Sequence, residues 1–513
     1  MRPVRIKPKQ NKSRRVVRLV AALAVQALLA GLYIAGVSRP VVHFDLFHQM
    51  ALMREALALG YVPTVEQFAY TARVEPAIQH EWGAGLIALL VLNRFGGAGT
   101  LAFHYALVAL MGAGVFLLAR ASRARAPLMW AALAAVSYLL TYSAIPVVAQ
   151  SYSMFFTIAL LLFLKQDREG GQRWILAWLP LSVVWGNVHG GVVVGIGIVL
   201  AHALEQVLRQ RPWKHLAGVA AAMAALLAVS PYGWKIYPFL AHALTAERPI
   251  IGEWSPQWML VLDRYRAGVF LASLAVFAYT VWRRGWRSVE GALIVLLLGL
   301  ASVRAMKMLP FYALAWLVYV PAVFGRTPMG REIASGMLRN LRWYGAGCLL
   351  LLGLAGVATV RQHPFTLAIP NEPRAELLNI SYPVGAVEYL KQQGFKGNIM
   401  TPYEQGAYVL WKLHPNVKVG MDSRYETAYD MGWVHRAHFA YLDQPPGAWR
   451  GVLATYPTDA VLVSRMQPLS ERLAEDKGWS LAYKDDVWRV YARQGVRLTE
   501  ADWSGRKLTG ALP

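Results

Sequence analysis

Charge is what this 513-residue chain has least of. Asp, Glu, Lys and Arg make up 16% of it, where soluble domains carry about 25%. Cysteine is nearly absent: Cys348 stands alone inside an apolar run, which excludes an intrachain disulfide or a cysteine metal site. The chain has no Walker A loop, so it is not a P-loop ATP motor. It also has no HExxH and no G-x-S-x-G, which removes zincin and serine-hydrolase chemistry. Apolar residues fill the space instead, at 56% of the chain with a mean hydropathy of +0.35. They recur in runs of about 18 residues or more, the mark of a polytopic membrane protein. The net charge of +23 does not point to nucleic acid. Most basic residues lie in short loops between apolar runs, where the positive-inside rule puts them.

The first 18 residues hold eight Lys or Arg and no acid. Together with Leu19 to Val37 they resemble a signal peptide, but the apolar run is longer than a signal core and no A-x-A site follows. The expectation is a basic cytoplasmic tail (1–18) and an uncleaved first membrane helix. Residues 40–82 carry Asp45, Glu55, Glu66, Glu75 and Glu81 and form a large outer loop. Within it "FHQMALMREALALG" has helical spacing and a closing glycine, as of an amphipathic helix lying on the bilayer. The next apolar pieces, 83–95 and 100–120, read either as an interfacial helix followed by one span or as two short spans. Further spans fall near 128–145, 154–164, 174–185, 191–208, 216–229, 268–282, 289–303, 309–324 and 343–360. Basic loops such as Lys165/Arg168/Arg173 and Arg283/Arg284/Arg287 mark the inside. About eleven helices result, in a membrane domain spanning 19–360.

Residues 361–513 change character. "YPVGAVEYLKQQG" and "EQGAYVLWKL" read as helices, "GNIMTP", "VKVGMD" and "DAVLVS" as strands, and "WSLAYKDDVWRVYAR" as a hairpin. The alternation predicts a small α/β domain outside the membrane. The fold class is therefore an α-helical polytopic membrane protein with a C-terminal extracytoplasmic α/β domain, which topology places outside the cell membrane.

Ionisable groups near membrane depth need a reason. His43, Asp45 and His48 follow the first helix, and "HEW" places His80 and Glu81 at the end of the same loop. A carboxylate there can take a proton from a hydroxyl when a pocket tunes it; a solvated interfacial loop is the bland alternative. Asn187 and His189, in "WGNVHGG", sit at an outward turn between apolar runs. Their plain role is a packed, hydrogen-bonded turn. Glu253 lies in "IGEWSP". Arg304 and Lys307, in "VRAMKMLPF", are cations on the outer side, against the inside rule. They suit an anionic lipid headgroup, or simple snorkelling. His43 and His48 are five apart, not the i, i+4 of a helical metal pair. No cofactor is assigned, and a divalent metal stays open. In the tail, "MDSRYETAY" offers Asp422, Arg424 and Tyr425 either as a contact surface or as a local salt bridge.

These pieces, with "FDLFHQMALMREALALGYVPTVEQFAYT", "SPYGWKIY", "EWSP" and the tail segment from "YPVGAVEYL" to "GMDSRYE", resemble the GT-C superfamily of membrane glycosyltransferases. The resemblance is to a bacterial group related to the dolichyl-phosphate-mannose-protein mannosyltransferases. It implies a GT-C-like fold and a polyprenyl-phosphate-linked sugar as donor. It further implies a glycan, lipid or protein acceptor, and inverting transfer on the outer face. An acidic residue of the first outer loop acts as base, which falls on Asp45. The paired acid common in the group is absent, since Leu46 follows Asp45. Asp45 and Glu81 are thus the catalytic candidates, with His43, His48, His80, Asn187, His189, Glu253, Arg304 and Lys307 as substrate-binding candidates. Membrane lipids are the other expected partners. A flippase for a lipid-linked glycan and a noncatalytic scaffold with a binding tail are the competing functions.

Overall fold

The computed structural model describes residues 12–38, 40–144, 146–254, 264–361, 365–374 and 379–513. The helical part begins with α1 (Lys12–Val37), which packs along the helix Leu341–Arg361. After a short strand β1 (Val41–Val42) come α2 (Phe44–Leu59), α3 (Trp82–Ala121), α4 (Ala126–Ala144), strand β2 (Pro146–Val147), α5 (Gln150–Arg168), α6 (Trp174–Val188) and α7 (Val192–Leu208). Among the described residues, seven further α-helices, from Lys214–Leu226 through Ala292–Arg304 to Pro328–Arg339, lead to Leu341–Arg361. The helix Leu309–Tyr319 is buried along every residue. Its apolar circumference suits it to the centre of a bundle.

On length and composition, α3 and Arg264–Arg284 are apolar enough to cross a bilayer, and eight further apolar helical stretches of 10–17 residues occur among the described residues. Leu176, Leu300, Leu350 and Leu354 project outward at 59–80% exposure, an apolar outer face that fits hydrocarbon better than water. Residues 83–95 and 100–120 belong to α3, which is broken at Gly96, where φ is 66° and ψ −166°. Only glycine enters that region freely.

The C-terminal part is a six-stranded mixed sheet of β3 (Gly397–Met400), β4 (Val417–Val419), β5 (Ala460–Ser464), β6 (Trp479–Lys484), β7 (Trp488–Arg493) and β8 (Ala501–Asp502). The spatial order is β4-β3-β5-β7-β6-β8. The first three strands are parallel, and β7 pairs antiparallel with β5 and β6. Successive residues of β5 feed opposite faces. Ala460 and Leu462 enter one core, with Tyr389 and Trp411, while Val461 and Val463 enter another, with Trp433 and Trp449. A strand buried on both faces reads as an unbroken apolar run for this reason.

The structure corrects the expectation for α2. It does not lie on a lipid surface: Leu46 through Met53 are all buried. One side meets α3, and the other meets the helix Gly406–Leu413 of the α/β part. Phe47 stands edge-on to Tyr382 and Tyr408, with ring centroids 5.3 and 5.1 Å away. Apolar spacing cannot distinguish a bilayer from a second protein layer, because both remove the same surface from water.

Of the two readings of "MDSRYETAY", the structure takes the salt bridge, Arg424 with Asp422, and extends it to Glu66. Arg424 donates to both oxygens of Glu66, to Asp422 and to Tyr429 Oη. The three ionic side chains are buried to within 2%. They form an internal clasp between residues 64–74 and the sheet, not an external contact surface. A charge triad this deep persists only when each member is paired.

Candidate active site

The short parallel pair β1–β2 anchors the entry to α2. Val42 N–H donates to Ala368 O at 3.1 Å and Tyr382 Oη to Val42 O at 2.6 Å. His43 then caps α2, its Nδ1 accepting from Asp45 N–H at 3.4 Å. Asp45 lies in the first helical turn, where the aligned peptide dipoles favour a carboxylate. Its two oxygens face His43 Nδ1 at 3.3 Å and His48 Nε2 at 3.5 Å. Four residues on, Gln49 shares the face of Asp45 and donates from Nε2 to Glu81 Oε2 at 2.5 Å.

Glu81 precedes α3. Its other oxygen faces His189 Nε2 at 3.3 Å and His80 Nε2 at 3.5 Å. Trp185 Nε1–H donates to Ser153 Oγ at 2.7 Å, which leaves the serine proton for His189 Nδ1 at 2.7 Å. Gly191 N–H also points at His189 Nδ1, at 2.9 Å. With two donors on Nδ1, the ring proton belongs on Nε2 and is offered to Glu81. The approach of α3 to α2 needs glycine: a Cβ on Gly85 would meet Gln49 O at 2.5 Å.

The site is thus two carboxylates, each between two imidazoles, with Gln49 bonded to Glu81. Burial pushes both acids up, but the imidazoles outweigh it. His43 and His48 hold Asp45 well below the usual carboxylate range. His189 and His80 bring Glu81 to about 2, with Asp45 pushing weakly the other way. Both are therefore ionised at neutral pH. Asp45 keeps 28% of its side chain accessible and Glu81 19%, so Asp45 is the more reachable acceptor for a proton. Among the described residues no group of three or more His, Cys, Asp or Glu side chains converges on a metal position.

The structure brings together six of the sequence-expected residues, His43, Asp45, His48, His80, Glu81 and His189. Asn187 is adjacent and fully engaged: Oδ1 accepts from Trp82 Nε1 at 2.9 Å, and Nδ2 donates to Val183 O at 2.9 Å and Val229 O at 2.8 Å. Arg304 is exposed at the end of its helix. Lys307 lies 5.4 Å from the Trp254 ring centre, whose ring also holds Arg248 at 4.5 Å; Arg248 in turn pairs with Glu426 of the α/β part. No described contact joins Arg304 or Lys307 directly to Asp45. The Glu253 side chain lies outside the described residues.

Four participants escaped the sequence reading. Gln49 and Ser153 sit inside apolar helices, and their polarity there was the available signal. Tyr382 and Glu404 come from the α/β part. Glu404 follows β3, close enough to His43 and Asp45 for both charges to act on it. Its surroundings raise its carboxyl by desolvation, His43 opposing and Asp45 adding to the shift. It nevertheless stays solvent-accessible, on the wall of an open cleft.

Family models and curated proteins yield no match to this sequence. Among solved structures, the chain is similar to ArnT from Cupriavidus metallidurans in the apo state. Identity is 14% over 94% of this chain and 98% of that one, with a TM-score of 0.49.

Proposed function

We propose that this protein is an inverting membrane glycosyltransferase that moves a sugar from a polyprenyl-phosphate donor to a hydroxyl acceptor at the outer membrane face. The observation that carries the reading is Asp45, ionised, partly accessible and braced by His43 and His48. A carboxylate so held accepts a proton without having to be recruited. The acceptor O–H proton passes to Asp45, and the freed electron pair forms the bond to the anomeric carbon. The bond from that carbon to the phosphate oxygen breaks, and its pair leaves on the lipid phosphate. Arg304 and Lys307 offset the charge that develops there. Glu81, both of whose oxygens are engaged by protein groups, orients the sugar with His80 rather than taking the proton. The arrangement favours transfer over a flippase path, since the paired acids and imidazoles gather at one place instead of lining a route.

Asp45→Asn keeps the shape and removes the base. Transfer from a polyprenyl-phosphate sugar by purified protein should fall by about 10²–10⁴-fold, with normal protein level and melting behaviour. Full activity in that variant sinks the assignment.

A further inference from the structure

The α/β part has a feature that the chemistry at Asp45 leaves unused. A cleft of about 470 Å³ is lined by Glu404, Gln405, Arg465, Gln467, Asp486 and Trp488, among others. Glu404 and Gln405 follow the carboxyl end of β3, and Arg465 and Gln467 follow that of β5. These two parallel strands are neighbours, but the chain leaves them in opposite directions. From β3 it passes to β4 on one side, and from β4 it crosses over to β5 on the other. Such a switch in connection opens a crevice at the strand ends, the place where open α/β sheets bind ligands.

The walls of this crevice are firm. Asp485 accepts from Val487 N–H at 2.7 Å, Trp488 N–H at 2.6 Å and Tyr483 Oη at 2.8 Å, which fixes the β6–β7 turn. Gln467 Oε1 accepts from Ser464 N–H at 2.9 Å, and Arg465 N–H donates to Val487 O at 2.9 Å. Polar heads of both signs therefore stand on apolar supports formed by Pro373, Met466, Val487 and Trp488. The volume falls in the ~300–1,000 Å³ range of small-molecule sites. Two carboxylates against one guanidinium disfavour an anion. Donors and acceptors beside apolar walls match a sugar ring, which has C–H faces and a hydroxyl edge.

The position adds direction. A polyprenyl donor must keep its tail in hydrocarbon and so reaches Asp45 from the helical side. Glu404 and Gln405 on the cleft wall directly precede the helix Gly406–Leu413, which packs on α2, the helix that carries Asp45. We infer that this crevice is an acceptor subsite which binds an uncharged, hydroxyl-rich carbohydrate and presents its hydroxyl to Asp45 from the α/β part. The assignment of the bound group as acceptor rests on the transferase reading; carbohydrate binding in the crevice does not.

The test uses full-length protein in nanodiscs and saturation-transfer NMR with three probes: chitotriose, maltotriose and inorganic phosphate. At least one neutral oligosaccharide should bind. The exposed-residue variants Arg465→Ala and Asp486→Ala should each weaken it by about tenfold, the worth of one or two hydrogen bonds. Asp45→Asn should leave it unchanged. Phosphate should neither bind there nor compete. The inference falls if no oligosaccharide binds, if both crevice variants bind like wild type, or if phosphate displaces the sugar. Crevice binding together with no transfer by the wild-type protein from any polyprenyl-phosphate sugar would sink the transferase reading alone. Loss of transfer in Asp45→Asn with no crevice binding would sink this inference alone.

Discussion

Replacing Arg424 by Met tests whether the seam between the helical and α/β parts is held electrostatically. Arg424 pairs with both Glu66 and Asp422, with Nε 2.8 Å from Asp422 Oδ1 and Nη2 3.0 Å from Glu66 Oε1. Methionine fills much of the volume but leaves two carboxylates buried and unpaired. Breaking a buried pair this way costs about 3–5 kcal/mol. For a unit the size of residues 361–513, the melting midpoint should drop by about 6–20 °C, at about 2–4 °C per kcal/mol. Glu66→Gln acts differently, because it leaves one cation with one anion and keeps an oxygen for Phe68 N–H and Ala69 N–H, now at 2.6 and 3.0 Å. It should cost about 1–2 kcal/mol, the loss of one charge-assisted bond. Thermal unfolding of purified protein, followed by protease release of the C-terminal part, reads both. Combining Arg424→Met with Glu66→Gln and Asp422→Asn should recover much of the loss, since no charge remains stranded. The reasoning is refuted if Arg424→Met melts within about 3 °C of wild type, or is no worse than Glu66→Gln.

Gly85→Ala places a methyl 2.5 Å from Gln49 O and 2.7 Å from its carbonyl carbon. It should cost about 1–3 kcal/mol by overpacking and depress transfer by moving Gln49 off Glu81. Gly218→Ala, on a helix with open space around the new Cβ, should instead gain up to about 1 kcal/mol; equal melting points for the two would refute the packing argument. Glu81, at about 2 in the fold against an ordinary 4.5, contributes stability that is present above pH 4.5. That stability is lost as the pH falls toward 2, about 3 kcal/mol in all. The melting gap between wild type and Glu81→Gln should therefore shrink as the pH falls below 4.5; a gap unchanged between about pH 5 and about pH 3 would contradict the ion-pair account.

The mostly helical N-terminal part, the α/β tail and most element positions were legible in the sequence because they depend on local composition. Long apolar runs, scarce charge and a shift in pattern after Arg361 need no knowledge of what lies beside them. The residues His43, Asp45, His80 and Glu81 stood out for the same reason, as polar groups bracketing one loop. What the sequence could not decide is which surfaces meet. The period of α2 marks a face to be removed from water, and only the packed structure shows that the helix Gly406–Leu413, rather than lipid, covers it. Arg424 and Glu66 are 358 residues apart in the chain, and no local pattern joins them. Glu404 is an ordinary acid after a short strand until the sheet order sets it beside Asp45. Charge type and spacing are written residue by residue. The juxtaposition that sets Asp45 and Glu81 among four imidazoles arises only when non-local burial and pairing are satisfied together.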